Sequence, residues 1–225
     1  MTSPAPLVVF DLDGTLVDTA DDLIATLNRV LADEGVRAMT RADAGALLGA
    51  GAKAMIARGF SLVGEDLAPE RLDRLFARFL PIYEANIAVH SRPFPGAVDA
   101  LDRFAAAGWR LAVCTNKLEG LSRRLLGELG LVDRFAAICG GDTFPTRKPD
   151  AGHLLGTIDK AGATVARSVM IGDSGTDVNA ARNAGVPVVG VTFGYTDRPV
   201  ETYGPDAVVD HFDALFDAVA GLRIA

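Results

Sequence analysis

Five short apolar runs, most of them separated by segments of helical periodicity, limit what this chain can fold into more than any other feature. Leu7-Val8-Val9-Phe10 is continuous, apolar and rich in β-branched side chains, which reads as a strand buried on both faces. Comparable runs recur at Arg110–Cys114, Ala136–Cys139, Ser168–Ile171 and Val186–Val191. Helical patterns lie at Ala97–Ala107, Glu119–Leu129, Ala151–Ala161 and Thr176–Ala184. Gly108, Gly130, Gly162 and Gly185 stand at their ends, where a left-handed residue closes a helix. Strands and helices alternating at this spacing require right-handed crossovers. The chain is therefore expected to be α/β, with a doubly wound parallel sheet of the Rossmann type.

One stretch breaks the rhythm. From Thr19 to Ser91 the periodicity is helical throughout, with no buried strand. Thr19-Ala20-Asp21-Asp22 offers an oxygen cap and early acids, and Leu23, Leu27, Val30 and Leu31 follow at helical spacing. Pro69-Glu70-Arg71-Leu72 opens a further helix, with Leu72, Leu75, Phe76 and Phe79 as its apolar face and a kink expected at Pro81. Arg92-Pro93-Phe94-Pro95-Gly96 reads as the connector back to the sheet. The expected organisation is a core of 1–18 and 92–225, carrying an all-helical domain of 19–91 as an insertion.

Composition narrows the function classes. At 225 residues and 49% hydrophobic, the chain buries a core of its own without metal or disulfide staples. Twenty-two Lys+Arg against 29 Asp+Glu give a net charge of −7, which argues against nucleic acid as a partner because neutralising phosphates dominates that affinity. It leaves room for one small phosphorylated ligand held by a few local groups. No apolar stretch at the start is long enough for a leader or a membrane span, so a cytoplasmic location without membrane contact is expected. Cys114 and Cys139 lack metal-ligand spacing and read as buried free thiols. The three histidines are scattered and read as packing or surface residues, and Trp109 as core. Oligomeric state is not legible.

Ligands of open parallel sheets bind beyond the carboxyl ends of the strands, so the residues just after each apolar run carry the functional information. They are Asp11-Leu12-Asp13-Gly14-Thr15, then Thr115-Asn116-Lys117, then Arg147-Lys148-Pro149 and finally Gly172-Asp173-Ser174-Gly175-Thr176-Asp177. Acid pairs, a hydroxyl, an amide and a lysine converge on one edge, and packing does not explain so many charges behind apolar strands. The set suits phosphoryl transfer. A carboxylate can attack phosphorus, Asp11 and Asp173 offer the oxygen ligands Mg²⁺ prefers, and Lys148 with the Thr115 hydroxyl can offset phosphoryl charge. Gly14 would permit a tight turn and a close backbone approach.

In this order the four segments resemble the motifs of the haloacid dehalogenase superfamily, and the helical insertion lies where members with a small α-helical cap carry theirs. Within that superfamily the chain is most similar to the phosphoglycolate phosphatase branch, through Val17-Asp18-Thr19, Thr115-Asn116-Lys117 and Phe193-Gly194-Tyr195. The resemblance implies that Asp11 is nucleophile and Mg²⁺ ligand. It implies that Asp13 is acid and base and binds the metal through its carbonyl, and that Asp173 completes the metal site. Asp177 would support that site or orient Lys148, and Thr115, Asn116 and Lys148 would hold the phosphoryl oxygens. Where many relatives read Lys-Pro-x-Pro, this chain reads Lys148-Pro149-Asp150-Ala151.

Dehalogenases and phosphonate hydrolases of that superfamily lack an acid at the position of Asp13, so the resemblance implies a phosphate ester with an alkoxide leaving group, and the activity it implies is hydrolysis of 2-phosphoglycolate. A sugar phosphate or nucleotide phosphatase, a phosphomutase and an idle phosphate-binding module remain open alternatives. The insertion speaks more softly. Gly49-Ala50-Gly51-Ala52-Lys53 could present a helix start to an anion, with Lys53, or Arg58, reaching a substrate carboxylate. A solvated Lys53 beside turn-forming glycines fits the same residues.

Overall fold

A computed structural model describes residues 4–45, 47–222 and 224. Six strands form one parallel sheet: β1 (Leu7–Phe10), β4 (Arg110–Cys114), β5 (Ala137–Cys139), β6 (Ser168–Gly172), β7 (Val188–Val191) and β8 (Ala207–Val209), in the order β5-β4-β1-β6-β7-β8. The topological switch falls at β1, which pairs with β4 on one side and β6 on the other. Period-two alternation sends Val8, Phe10, Leu111 and Val113 into one apolar cluster and Leu7, Val9, Ala112 and Cys114 into another. Helices α6 (Ala97–Ala106), α7 (Glu119–Glu128) and α10 (Leu215–Gly221) cover the first face, and α8 (Ala151–Lys160) and α9 (Gly175–Ala184) the second. Each fully buried Val, Leu or Phe contributes about 1.5–3 kcal/mol, so continuous apolar runs are what such a doubly covered sheet requires.

The α/β expectation holds, with differences at the edges. The strand expected from Val186 is β7 and begins at Val188, because the Val186 N–H closes the preceding helix on the Ala181 carbonyl and Pro187 has no N–H to donate. The short edge strand β8 and helix α10 were not legible, since three residues between Asp206 and Asp210 carry almost no periodicity. Cys114 and Cys139 are register partners on adjacent strands, both buried and free.

Between β2 (Val17–Asp18) and β3 (Arg92–Pro93) the chain forms helices α1 (Ala20–Asp33), α2 (Arg41–Ala44), α3 (Leu47–Ala50), α4 (Ala52–Ser61) and α5 (Pro69–Ala85). The segment read as a plain connector is half of an antiparallel ribbon, Val17 opposite Pro93 and Asp18 opposite Arg92. Helix α5 is continuous through Pro81 and buries Leu75, Phe79 and Tyr83. Thr19 precedes α1 but does not cap it with its side chain. Instead the Tyr195 hydroxyl accepts from the N–H groups of Thr19 (2.8 Å) and Ala20 (3.1 Å), which frees Thr19 Oγ1 to donate to Asp13 Oδ1 at 2.8 Å. Asp22 is more than an early acid of α1. Its buried carboxylate accepts from the N–H of His90 and from the N–H and hydroxyl of Ser91, tying the start of the helical segment to its return.

Candidate active site

The carboxyl ends of β1, β4 and β6, with the loop before α8, converge on a cavity of about 530 Å³ whose far wall comes from the inserted helices. Asp11, Asp13, Thr115, Asn116, Lys117, Lys148 and Asp177 line it on the sheet side. The backbone leaving β1 turns sharply. Gly14 has φ +84°, and a Cβ there would lie 2.7 Å from Asp173 Oδ2, so a side chain would collide with the acid of the neighbouring strand. The Cβ of any residue at 194 would come within 2.2 Å of the Asp173 Cβ. Glycine at these two positions lets two loops close around one carboxylate.

Lys148 is the hub. Its ammonium, 1% exposed, lies 2.9 Å from Asp11 Oδ1 and 2.6 Å from Asp177 Oδ1. Burial alone would lower a lysine, but these two carboxylates outweigh it and hold Lys148 above its usual range, hence charged. Asp177 divides its two oxygens between Lys148 and the start of α9. One oxygen orients Lys148, and the other accepts from the N–H (3.1 Å) and hydroxyl (2.7 Å) of Ser174 at the start of α9. Position 151, where the pattern Lys-Pro-x-Pro would place a second proline, is the first residue of α8, and the Asp150 carboxylate before it caps that helix by accepting from the Gly152 N–H at 2.7 Å.

Asp11 spends one oxygen on structure. Oδ1 accepts from the Leu12 N–H (2.7 Å) and faces Lys148, while Oδ2 takes no hydrogen bond from any described residue. Asp173 is held at both oxygens, Oδ1 by the Thr15 hydroxyl (2.8 Å) and Oδ2 by the Tyr195 N–H (2.6 Å). Burial raises the Asp11 carboxyl to about 6, and burial with the charges of Asp177 and Asp11 raises Asp173 to about 8. Oxygens of Asp11, Asp173 and Asp177 lie within 4.8 Å of one another. Three clustered carboxylates with oxygen donors only, two of them, Asp11 and Asp173, raised by burial, fit a small hard divalent cation such as Mg²⁺.

Asp13 does not join that group with its carboxylate, which turns instead to Thr19 Oγ1 and to Lys117 Nζ at 3.1 Å. Thr115 is buried, and its hydroxyl accepts from the Lys117 N–H. The Asn116 side chain is taken up by the Lys148 carbonyl at 3.0 Å, leaving its backbone for any ligand. His153, under the same loop, is buried, and its Nδ1 accepts from the Lys148 N–H. Of the two cap candidates, Lys53 lines the cavity but is half exposed and paired with Asp73 at 2.5 Å, whereas Arg58 is not among the lining residues. The remaining far wall is largely apolar, with Leu23, Leu48, Met55, Phe76 and Leu80.

Four residues of the site were not assigned from the sequence: Lys117, Tyr83, Thr15 and Tyr195. Lys117 stands beside Asn116 in a segment already singled out, so position alone could have raised it. Tyr83 falls at helical spacing from Phe76 and Phe79 and reads as core. Tyr195 joins the two halves of the molecule, since its N–H holds Asp173 while its hydroxyl holds the start of α1 and bonds the Asp18 carboxylate.

The chain matches the family model described as haloacid dehalogenase-like hydrolase over residues 8–191. A phosphoglycolate phosphatase of Agrobacterium fabrum is 53% identical over 215 residues, covering 96% of this chain and 92% of that protein. One of Mesorhizobium japonicum is 49% identical over 210 residues, covering 93% and 92%. A crystal structure described as a predicted phosphoglycolate phosphatase, from Haemophilus somnus, superposes with a TM-score of 0.88 at 29% identity, covering 96% of this chain and 98% of that one.

Proposed function

The chain belongs to the haloacid dehalogenase-like hydrolases and is a phosphatase, and from that premise we propose that it hydrolyses 2-phosphoglycolate to glycolate and phosphate with Mg²⁺. The observation that carries the reaction is the Asp11 carboxylate, anchored through one oxygen and, among the described residues, unpartnered at the other, between Lys148 and the Asp13 loop. The names of relatives at 49–53% identity support the substrate.

Asp11 Oδ2 attacks phosphorus and the bond from phosphorus to the ester oxygen breaks. The leaving alkoxide takes a proton from Asp13 and departs as glycolate. Asp13 then removes a proton from water, whose oxygen attacks the aspartyl-phosphate and releases inorganic phosphate, regenerating Asp11. Lys148, the Thr115 hydroxyl and the Asn116 N–H take up phosphoryl charge, and Asp177 keeps Lys148 aimed. Asp11, Asp173 and the Asp13 carbonyl would hold Mg²⁺, with Asp177 in support. When bound, the ion offsets repulsion between carboxylates and phosphate and polarises the phosphoryl group. Residues 19–91 act as a cap domain over a core of 1–18 and 92–225, closing the cavity against bulk water.

The test is kcat/KM across a panel of phosphomonoesters with and without Mg²⁺, in the native enzyme and Asp11→Asn. A strong preference for 2-phosphoglycolate is expected, lost on chelation, with kcat lowered roughly 10⁴-fold or more in the variant. Flat, low rates over the panel would remove the substrate, and turnover surviving in Asp11→Asn would remove the mechanism.

A further inference from the structure

We infer that Lys117, rather than a cation of the cap helices, is the residue that recognises the substrate carboxylate; this rests on the phosphoglycolate reading above. Two lysines reach the cavity from opposite directions besides Lys148. Lys53 comes from the start of α4 with half its side chain in solvent, and Asp73 already neutralises it at 2.5 Å. A further anion there would meet a satisfied, hydrated pair, which contributes little. Lys117 is different on every count. Its side chain is only 5% exposed, and its ammonium lies 3.1 Å from Asp13 Oδ1 and 2.7 Å from the Tyr83 hydroxyl. Its backbone is fixed at both ends, the N–H on Thr115 Oγ1 and the carbonyl on the Gly141 N–H.

An ammonium has three N–H donors. The Asp13 carboxylate takes one side of it, straddled at 3.1 Å (Oδ1) and 3.2 Å (Oδ2), and the Tyr83 hydroxyl a second at 2.7 Å. No acceptor outside Asp13 and Tyr83 claims it among the described residues, so a ligand in the cavity that Lys117 lines can take the remaining side, sharing the ammonium with Asp13. The connectivity of the substrate then makes the assignment. In 2-phosphoglycolate a single methylene separates the ester oxygen from the carboxylate carbon. The ester oxygen must lie against Asp13 to receive its proton, so the carboxylate cannot lie far from Asp13 either. Lys117 is the cation in contact with Asp13, whereas Lys53 belongs to the opposite wall. A cation in this place tells a carboxymethyl leaving group from an alkyl one of the same length, because a buried ionic hydrogen bond is either made or lost. Tyr83, held by helix α5 and stacked on Phe79, carries the cap's part in that selection by fixing the ammonium.

The experiment compares kcat/KM for 2-phosphoglycolate with kcat/KM for ethyl phosphate, which keeps the two-carbon alkoxide and drops the carboxylate. The ratio is measured in the native enzyme, Lys117→Met, Lys53→Met and Tyr83→Phe. Turnover of both esters should fall in Lys117→Met, since Asp13 loses its partner. The ratio should fall by a further 10- to 100-fold or so, mostly through KM, as expected for one lost ionic hydrogen bond. Lys53→Met should leave the ratio within about threefold of native, and Tyr83→Phe should lower it severalfold while ring stacking is kept. An unchanged ratio in Lys117→Met would make Lys117 a prop for Asp13 alone and overturn the assignment, as would a drop confined to Lys53→Met. If Lys117→Met does not fold, Tyr83→Phe decides, and an unmoved ratio there overturns it. A native ratio near one would instead overturn the phosphoglycolate reading itself.

Discussion

The two walls of the cavity are built by opposite rules. On the sheet side, Lys148, Asp173 and Asp177 are buried to within a few per cent and bonded to one another or to fixed backbone, with Asp11 beside them. On the helical side the wall is mostly apolar, and its lysine is a half-exposed partner of an exposed aspartate. In a dry, preorganised cluster each charge acts through short distances and little screening, so it can stabilise a transition state, and removing one leaves others stranded. In a solvated wall the same charges are screened and exchangeable. Under the proposed reaction, chemistry and fine tuning would be separated in space, and that separation makes quantitative demands.

The largest effect should come from the hub. Lys148→Met leaves Asp11 and Asp177 buried without their counter-charge, and the cost should be about 3–5 kcal/mol of unfolding free energy. Activity should be lost in the same variant. Lys148→Met/Asp177→Asn removes the stranded charge as well, so much of the lost stability should return while activity does not. Chemical denaturation of both variants without divalent cation checks this. A double variant no more stable than the single would mean that packing of the lysine stem, and not charge, holds this wall together.

Legibility followed the same division. Asp11, Thr115 and Asp173 each follow an apolar run directly, and Asp13 and Asp177 stand a few residues further on. The crossover rule for parallel strands is therefore enough to bring them to one edge from their positions in the chain. Lys148 sits further along the loop after the third run, where position places a side chain less tightly than at a strand end. Tyr83 and Lys117 are 34 residues apart, and their contact depends on how α5 settles over the β4 loop, which no local pattern encodes. Thr19 shows the limit from the other side. Its type and place suit an N-cap, but a phenol from 176 residues away takes the position and leaves the hydroxyl to Asp13.

A smaller effect should appear as pH dependence of stability in the metal-free protein. Asp11 and Asp173 ionise near 3.8 when unfolded but near 6 and 8 when folded. Folding therefore favours their protonated forms. The stabilising contribution is complete below pH 3.8 and is lost as pH rises through 6 and then 8. His153, kept low at about 4 by burial and by Lys148, acts in the opposite sense at acid pH, because stability is lost there as pH falls below its unfolded value near 6.5. Between about pH 6.5 and about pH 9 the aspartates should dominate. Tm with chelator should fall across that window, the gain in Tm on adding Mg²⁺ should grow with pH, and Asp173→Asn should flatten both trends. A flat profile in the unsubstituted protein would mean that the carboxylates ionise freely and that this wall is wetter than its burial implies.

The smallest effect belongs to the helical wall. Asp73→Asn unpairs Lys53 and adds one net positive charge there, without touching the floor. An exposed pair of this kind contributes at most about 1 kcal/mol, and salt near 0.1 M screens a charge beyond about 10 Å. Tm should therefore shift by only a few degrees at most, and kcat/KM for 2-phosphoglycolate should stay within about threefold of native, with any rise fading as salt is added. Steady-state kinetics at low and high ionic strength make the measurement. A salt-resistant rise of tenfold or more, confined to the carboxylated ester, would show that Asp73 holds Lys53 back from the substrate. Recognition would then be shared between the walls, and the contrast drawn between a chemical floor and a tolerant roof would fail at that residue.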